Sequence, residues 1–250
     1  MYNQFWGFRE KPFKQVPNPD FLFLSATHEE ALAHLNYALA EGDGFLMITG
    51  EVGTGKSTLC RSFFQNLDPS VACAYIFNSK LDALQLLKSI HAEFDIAADA
   101  DSAHELIETL NGFLIERGAS GAKVLILIDE AQNLPVESLE QLRLLSNLET
   151  TQEKLLQIVL VGQPELAERI DAFELRQLGQ RINLTCQLVP LSYDETVQYI
   201  QHRINIVSQK PRMPFDKRAL KAIYAYSAGI PRLINTACDR MLRATYLDTR

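Results

Sequence analysis

The residues best suited to chemistry in this 250-residue chain are Gly50-Glu51-Val52-Gly53-Thr54-Gly55-Lys56-Ser57. They fit the spacing GxxxxGK[ST], in which glycines let the main chain curl until its N–H groups converge on phosphate oxygens. The apolar run Phe45-Leu46-Met47-Ile48 precedes the loop and the helical TLCRSFF follows it. That context adds the positive end of a helix to the cradle. Lys56 would reach the β- and γ-phosphates, and Ser57 would ligate Mg2+ through its hydroxyl. The candidate nucleotide-binding residues are therefore Gly50, Glu51, Val52, Gly53, Thr54, Gly55, Lys56, Ser57 and Thr58.

A second group is the apolar Leu125-Ile126-Leu127-Ile128 ending in Asp129-Glu130. Two carboxylates at the end of a buried strand suit a phosphate site. Asp129 would hold a Mg2+-bound water, and Glu130 would act as general base toward an attacking water. Such an acid-base pair points to a hydrolase rather than a passive nucleotide binder. Asn78, at the end of a second strand, could hold Glu130 idle, and Gln163, at the end of a fourth, could reach the attacking water or the γ-phosphate. Arg176 and Arg181 lie in LRQLGQRI just before the fifth strand, where a guanidinium could project into a neighbouring subunit's site. Arg232, in Gly229-Ile230-Pro231-Arg232, could reach the γ-phosphate of its own chain.

These residues need a scaffold, and the alternation of patterns supplies one. Strands are expected at Phe45–Thr49, Ala72–Asn78, Val124–Ile128, Gln157–Val161 and Ile182–Leu188, with helices near 56–66, 82–94, 102–117, 136–148 and 165–179. A further helix is expected from Ser25 to Gly42. Continuous apolar strands such as VLILI imply burial on both faces, hence a parallel sheet between helical layers. From Leu191 the strands stop. Ser192-Tyr193-Asp194-Glu195 is a capping box, Asp216 opens a second helix, and Pro231 suits the first turn of a third. The expected organisation is an aromatic segment over 1–24 near the nucleotide, an α/β domain over 25–190 and a small all-helical lid domain over 191–250.

Composition excludes several classes. No run approaches the ~18 apolar residues of a membrane span, and the start MYNQFWGFREKPF is no signal peptide. Cys60, Cys73, Cys186 and Cys238 are far apart and fit a reducing cytoplasm better than a zinc or disulfide framework. The net charge of −7 argues against broad binding of nucleic acid.

The order of phosphate loop, DE strand, pre-strand arginine and helical "GIPR" resembles AAA+ ATPases. The strings "FWGFREKPF", "VPNPDFLFLS", "HEEALAHLNYAL", "GFLMITGEVGTGKSTLCR", "LIDEAQNL" and "LEQLRLLSNLET" are similar to the general secretion pathway protein A (ExeA type) branch and its MshM-like relatives in type IV pilus biogenesis. The resemblance covers essentially the whole chain. It implies a P-loop NTPase αβα sandwich with a five-stranded parallel sheet and a small all-helical lid domain. The implied activity is ATP hydrolysis with Mg2+, stimulated by oligomers or partners, driving or gating the assembly of a bacterial envelope machine.

In family terms Arg232 becomes sensor two, Arg181 matches the usual arginine finger with Arg176 as the alternative, and Gln163 stands where Asn or Thr is more usual at sensor one. The resemblance further implies a homo-oligomer, ring or dimer, formed on ATP binding. Its partner would be a secretion or pilus assembly protein at the cytoplasmic face of the inner membrane. Full-length secretion-type members continue into a membrane span and a wall-binding domain, so this chain is expected to be a cytoplasmic part or a stand-alone relative. Two other readings share the core: an ATP-gated, DNA-associated regulator of the transposition-targeting type, and a scaffold that barely hydrolyses.

Overall fold

A computed structural model describes residues 2–42, 44–77, 80–97, 100–149, 154–208 and 212–248. It contains five strands: β1 (Phe45–Gly50), β2 (Ala72–Ile76), β3 (Val124–Ile128), β4 (Gln157–Gly162) and β5 (Ile182–Leu188). They form one parallel sheet in the order β2-β3-β4-β1-β5. The three central strands β3, β4 and β1 are buried at every position, whereas the edge strands β2 and β5 alternate. That difference is why FLMITG, VLILI and QIVLVG are unbroken apolar runs: both faces of a central strand lie under helices.

Helices α1 (Tyr2–Trp6), α2 (Ala26–Glu41), α3 (Lys56–Gln65), α4 (Ala83–Glu93), α5 (Ala103–Ala119) and α6 (Val136–Leu145) precede β4. After it come α7 (Glu165–Ile170), α8 (Arg176–Gly179), α9 (Tyr193–Val207), α10 (Lys217–Ser227) and α11 (Pro231–Asp248). The single helix expected over 165–179 is three short pieces, with a 3-10 turn at Phe173–Leu175 between α7 and α8. The chain folds back there: a Cβ on Gly179 would come 3.3 Å from the Ile170 carbonyl oxygen, so the end of α8 lies on the end of α7.

The chain divides into two compact units. One comprises Glu29–Gly50 and Phe63–Gln187. Its core joins Phe45, Met47, Ile126, Ile128, Ile158 and Leu160 of the sheet to leucines of α4, α5, α6 and α8, among them Leu87, Leu110, Leu142 and Leu178. Each such fully buried side chain contributes about 1.5–3 kcal/mol.

The other unit comprises Met1–His28, Glu51–Ser62 and Leu188–Arg250. Its core joins Tyr2, Phe8, Phe13 and Phe21 of the aromatic segment to Tyr199, Ile200, Ile204, Ile223 and Ile234 of α9, α10 and α11. Arg203, 6% exposed, ties the two together. It donates to the Pro12 carbonyl at 2.7 Å and to Tyr199 Oη at 2.8 Å, and stacks 4.7 Å over the Phe21 ring. The buried cation thus rests on carbonyl oxygens and aromatic faces.

Candidate active site

The loop begins where β1 ends. Gly53 and Gly55 have φ of +88° and +111°, a left-handed backbone that glycine adopts without cost. The Glu51 carbonyl organises the turn: it accepts from Thr54 N at 3.3 Å, Thr54 Oγ1 at 2.9 Å and Lys56 Nζ at 3.0 Å. Carbonyls turned inward in this way leave the curl of amides for an anion. Lys56 is only 5% exposed and opens α3, followed by Ser57 and Thr58 in its first turn.

Within the same unit two residues brace the loop. His28 Nε2 lies 3.1 Å from the Thr54 carbonyl, and His28 Nδ1 lies 2.7 Å from Ser25 Oγ. Burial holds the imidazole below its ordinary pKa of 6.5, so the ring is neutral. A carbonyl only accepts, which puts the proton on Nε2 and leaves Nδ1 to accept from the Ser25 hydroxyl. The second brace is the start of α11: Arg232 N donates to the Gly53 carbonyl at 3.2 Å. Just ahead of α11, Gly229 lets the Leu191 main chain pack against it, since a Cβ there would sit 1.9 Å from the Leu191 carbonyl oxygen.

The sheet unit carries the carboxylates. Asp129, 4% exposed, accepts from Tyr75 Oη at 3.1 Å and from the Glu130 amide at 2.9 Å. Glu130 adopts φ 54°, ψ 36°, a left-handed conformation costly for a residue with a Cβ. The turn folds the chain back into a 3-10 segment, Ala131–Asn133, and brings Gln132 beside the carboxylate. Gln132 Nε2 donates to Glu130 Oε2 at 2.6 Å, and Gln163 Nε2 donates to the same oxygen at 3.3 Å. Gln132 Oε1 accepts from the Gln163 amide at 3.1 Å, and Arg169 donates to the Gln132 and Leu134 carbonyls.

The residues present fit a nucleoside triphosphate with magnesium. Two positive-φ glycines, a buried lysine and a helix N-terminus make a phosphate cradle, and a Cβ at Gly53 or Gly55 would collide with the Arg232 and His28 braces. The Ser57 hydroxyl of one unit and the buried Asp129 carboxylate of the other are each oxygen donors of the kind magnesium takes. Among the described residues no cluster of three or more His, Cys, Asp or Glu forms a separate metal site.

Arg181 is engaged within its own chain, donating to Ser146 Oγ at 2.6 Å and to the Arg143 carbonyl at 3.2 Å. Arg176 and Arg232 are exposed. Asn78 lies outside the described residues. Gln163, expected at the water or the γ-phosphate, is bonded to Glu130 itself. Sequence reasoning passed over His28, Tyr75, Gln132 and Arg169. "LIDEAQNL" does contain Gln132, but no periodicity shows that a left-handed Glu130 turns it back. Burial pushes the Cys73 and Cys186 thiols up to about 12 and about 11, which keeps them unreactive.

The chain is 45% identical over 247 residues to general secretion pathway protein A of Aeromonas hydrophila, covering 98% of this chain and 45% of that protein. It thus spans about half the length of this relative. Among solved structures it is similar to the Aeropyrum pernix ORC2 protein in ADPNP–ADP complexes, with a TM-score of 0.72 and 17% identity over 96% of this chain and 68% of that one. It is also similar to Cdc6p of Pyrobaculum aerophilum, with a TM-score of 0.70 and 17% identity over 94% and 67%. At such identity these two likenesses concern the fold. Residues 39–170, more than half of the chain, match the AAA domain, and the chain belongs to the AAA family.

Proposed function

We propose that this domain binds and hydrolyses ATP, and that hydrolysis drives or gates the assembly of a bacterial envelope machine, in type II secretion or type IV pilus biogenesis. The observation that carries the hydrolase reading is the end of β3, where a buried Asp129 precedes a Glu130 carboxylate fixed by two side-chain amides. Main-chain amides of residues 51–57 and Lys56 hold the triphosphate. Ser57 and Asp129 would hold magnesium, which would supply positive charge against the phosphates. Glu130 orients a water and takes its proton, a contribution of about 10²–10⁴ in rate.

The envelope role is supported by the 45% identity to general secretion pathway protein A. It implies work at the cytoplasmic face of the inner membrane as a homo-oligomer, with a secretion or pilus assembly protein as partner. No described helix is long and apolar enough to cross a membrane. An arginine ahead of β5 completes a neighbour's site. Arg176 is better disposed for this than Arg181, whose guanidinium is bonded to Ser146.

Phosphate release from MgATP tests the reading. Glu130→Gln should lower kcat at least 100-fold while leaving the affinity for an ATP analogue within about twofold. Wild-type turnover in that variant would overturn it. In the native host, Lys56→Ala in the chromosomal copy should abolish secretion or surface piliation, and an unaffected envelope would remove the assembly role.

A further inference from the structure

The Gln132 side chain is bonded at both its amide atoms beside Glu130. Its Nε2 reaches Glu130 Oε2 at 2.6 Å, and its Oε1 takes the main-chain amide of Gln163 at 3.1 Å. The amide orientation is therefore set at both ends. Its own main chain is held as well, because Arg169 clamps the carbonyls of Gln132 and Leu134. The end of β4 is shaped to receive it: a Cβ on Gly162 would come 2.6 Å from Gln132 Oε1. The φ of Gly162 is not positive, so what glycine supplies there is room, for Gln132 Oε1 and for Leu166 Cδ2, which the Cβ would meet at 2.8 Å. Gln163 Nε2 adds a second donor to the same Glu130 oxygen.

We propose that Gln132 is the positioning residue of Glu130, fixing its carboxylate and tying it to the end of β4 through the Gln163 amide. The proposal rests on Glu130 acting as the base. A carboxylate on a left-handed turn has free torsions of its own, and a base must be held to within a fraction of an ångström for efficient proton transfer. The 3-10 turn, the Arg169 clamp and the glycine at Gly162 all serve to aim one amide at one oxygen. A displacement of Gln163 is then passed to Glu130 through the Gln132 amide as well as through the Gln163 side chain itself.

Gln132→Met keeps the shape of the side chain and removes its donor and acceptor. In the full chain it should lower kcat for ATP roughly 10- to 100-fold, with ATP-analogue affinity within about twofold and an unchanged melting temperature. Gly162→Ala, which displaces the same amide, should cause a comparable loss that does not add to that of Gln132→Met. In a Glu130→Gln background, Gln132→Met should have no further effect, an outcome that a merely structural role would not produce. An unchanged or raised kcat in Gln132→Met would overturn the proposal, as would full additivity with Glu130→Gln. If Glu130→Gln itself hydrolyses ATP normally, the base assignment fails first, and the two failures are told apart by that one variant.

Discussion

Gly53→Ala tests whether the phosphate loop and the start of α11 are one structural device. Alanine at φ +88° occupies the left-handed region, at a cost of about 1–2 kcal/mol. The new Cβ would also come 2.6 Å from Arg232 Cβ and 3.2 Å from Ile230 Cγ2. Those neighbours sit in the first turn of α11 and immediately ahead of it rather than on a flexible tip, so relief requires moving α11 off the loop. Overpacking of this kind costs roughly 1–3 kcal/mol. Displacing α11 also loses the bond from Arg232 N to the Gly53 carbonyl, worth about 1 kcal/mol. The expected destabilisation is about 3–6 kcal/mol in all.

The assay is built into the chain. Trp6 is its single tryptophan and donates to the Leu242 carbonyl within the same unit as the loop. Denaturation followed by its emission therefore reports on that unit. A double-mutant cycle separates the two causes: Arg232→Gly removes the colliding Cβ but leaves the backbone cost. The cycle should show about 1–3 kcal/mol of coupling, with Gly53→Ala milder in the Arg232→Gly background. A loss below about 0.5 kcal/mol, or simple additivity, would refute the docking of Arg232 on the loop.

Two further outcomes follow from the same unit. Lys56→Ala should weaken binding of a fluorescent ATP analogue at least about 100-fold, close to 2.7 kcal/mol, measured by titration in the presence of magnesium, and unchanged affinity would contradict the cradle. Stability should also fall with acid. Burial depresses the pKa of His28 and His202 below 6.5, so the unfolded chain takes up their protons first. Their contribution is complete above 6.5 and is lost as pH falls through the lower folded values. His28→Gln should flatten the decline in denaturation midpoint between pH 7.5 and 5.5, and a slope as steep as the wild type would count against it.

The sheet was legible wherever a local pattern had one physical solution. Val124–Ile128 is bounded by Lys123 and Asp129, and an apolar run of that length between charges fits only a buried strand. The opening of α9 was equally clear, because Ser192 and Glu195 bond reciprocally across a single turn. The stretch 165–179 misled because its buried residues, Leu166, Ile170, Leu175 and Leu178, keep a spacing close to that of one helix. The fold-back that Gly179 permits is set by contact with Ile170, which periodicity does not encode. The aromatic segment showed by composition that it must be buried. Its partners could not be read, since Pro12 meets Arg203 from 191 residues away.

The candidate site divides along the same line. The loop was readable because glycine spacing dictates its backbone within eight residues, and the position of Lys56 follows from the curl. Glu130 was readable as a carboxylate ending a strand, but its orientation was not. That orientation depends on Gln163, 33 residues further on, and on the Gln132 amide, itself set by a main-chain group 31 residues away. His28 and Tyr75 reach Thr54 and Asp129 over separations of 26 and 54 residues. A motif thus names candidate groups for phosphate and water, whereas the groups that aim them are chosen by the fold. Substitutions at Gln132, Tyr75 and His28 should consequently alter how well the motif residues act while leaving the motif itself intact.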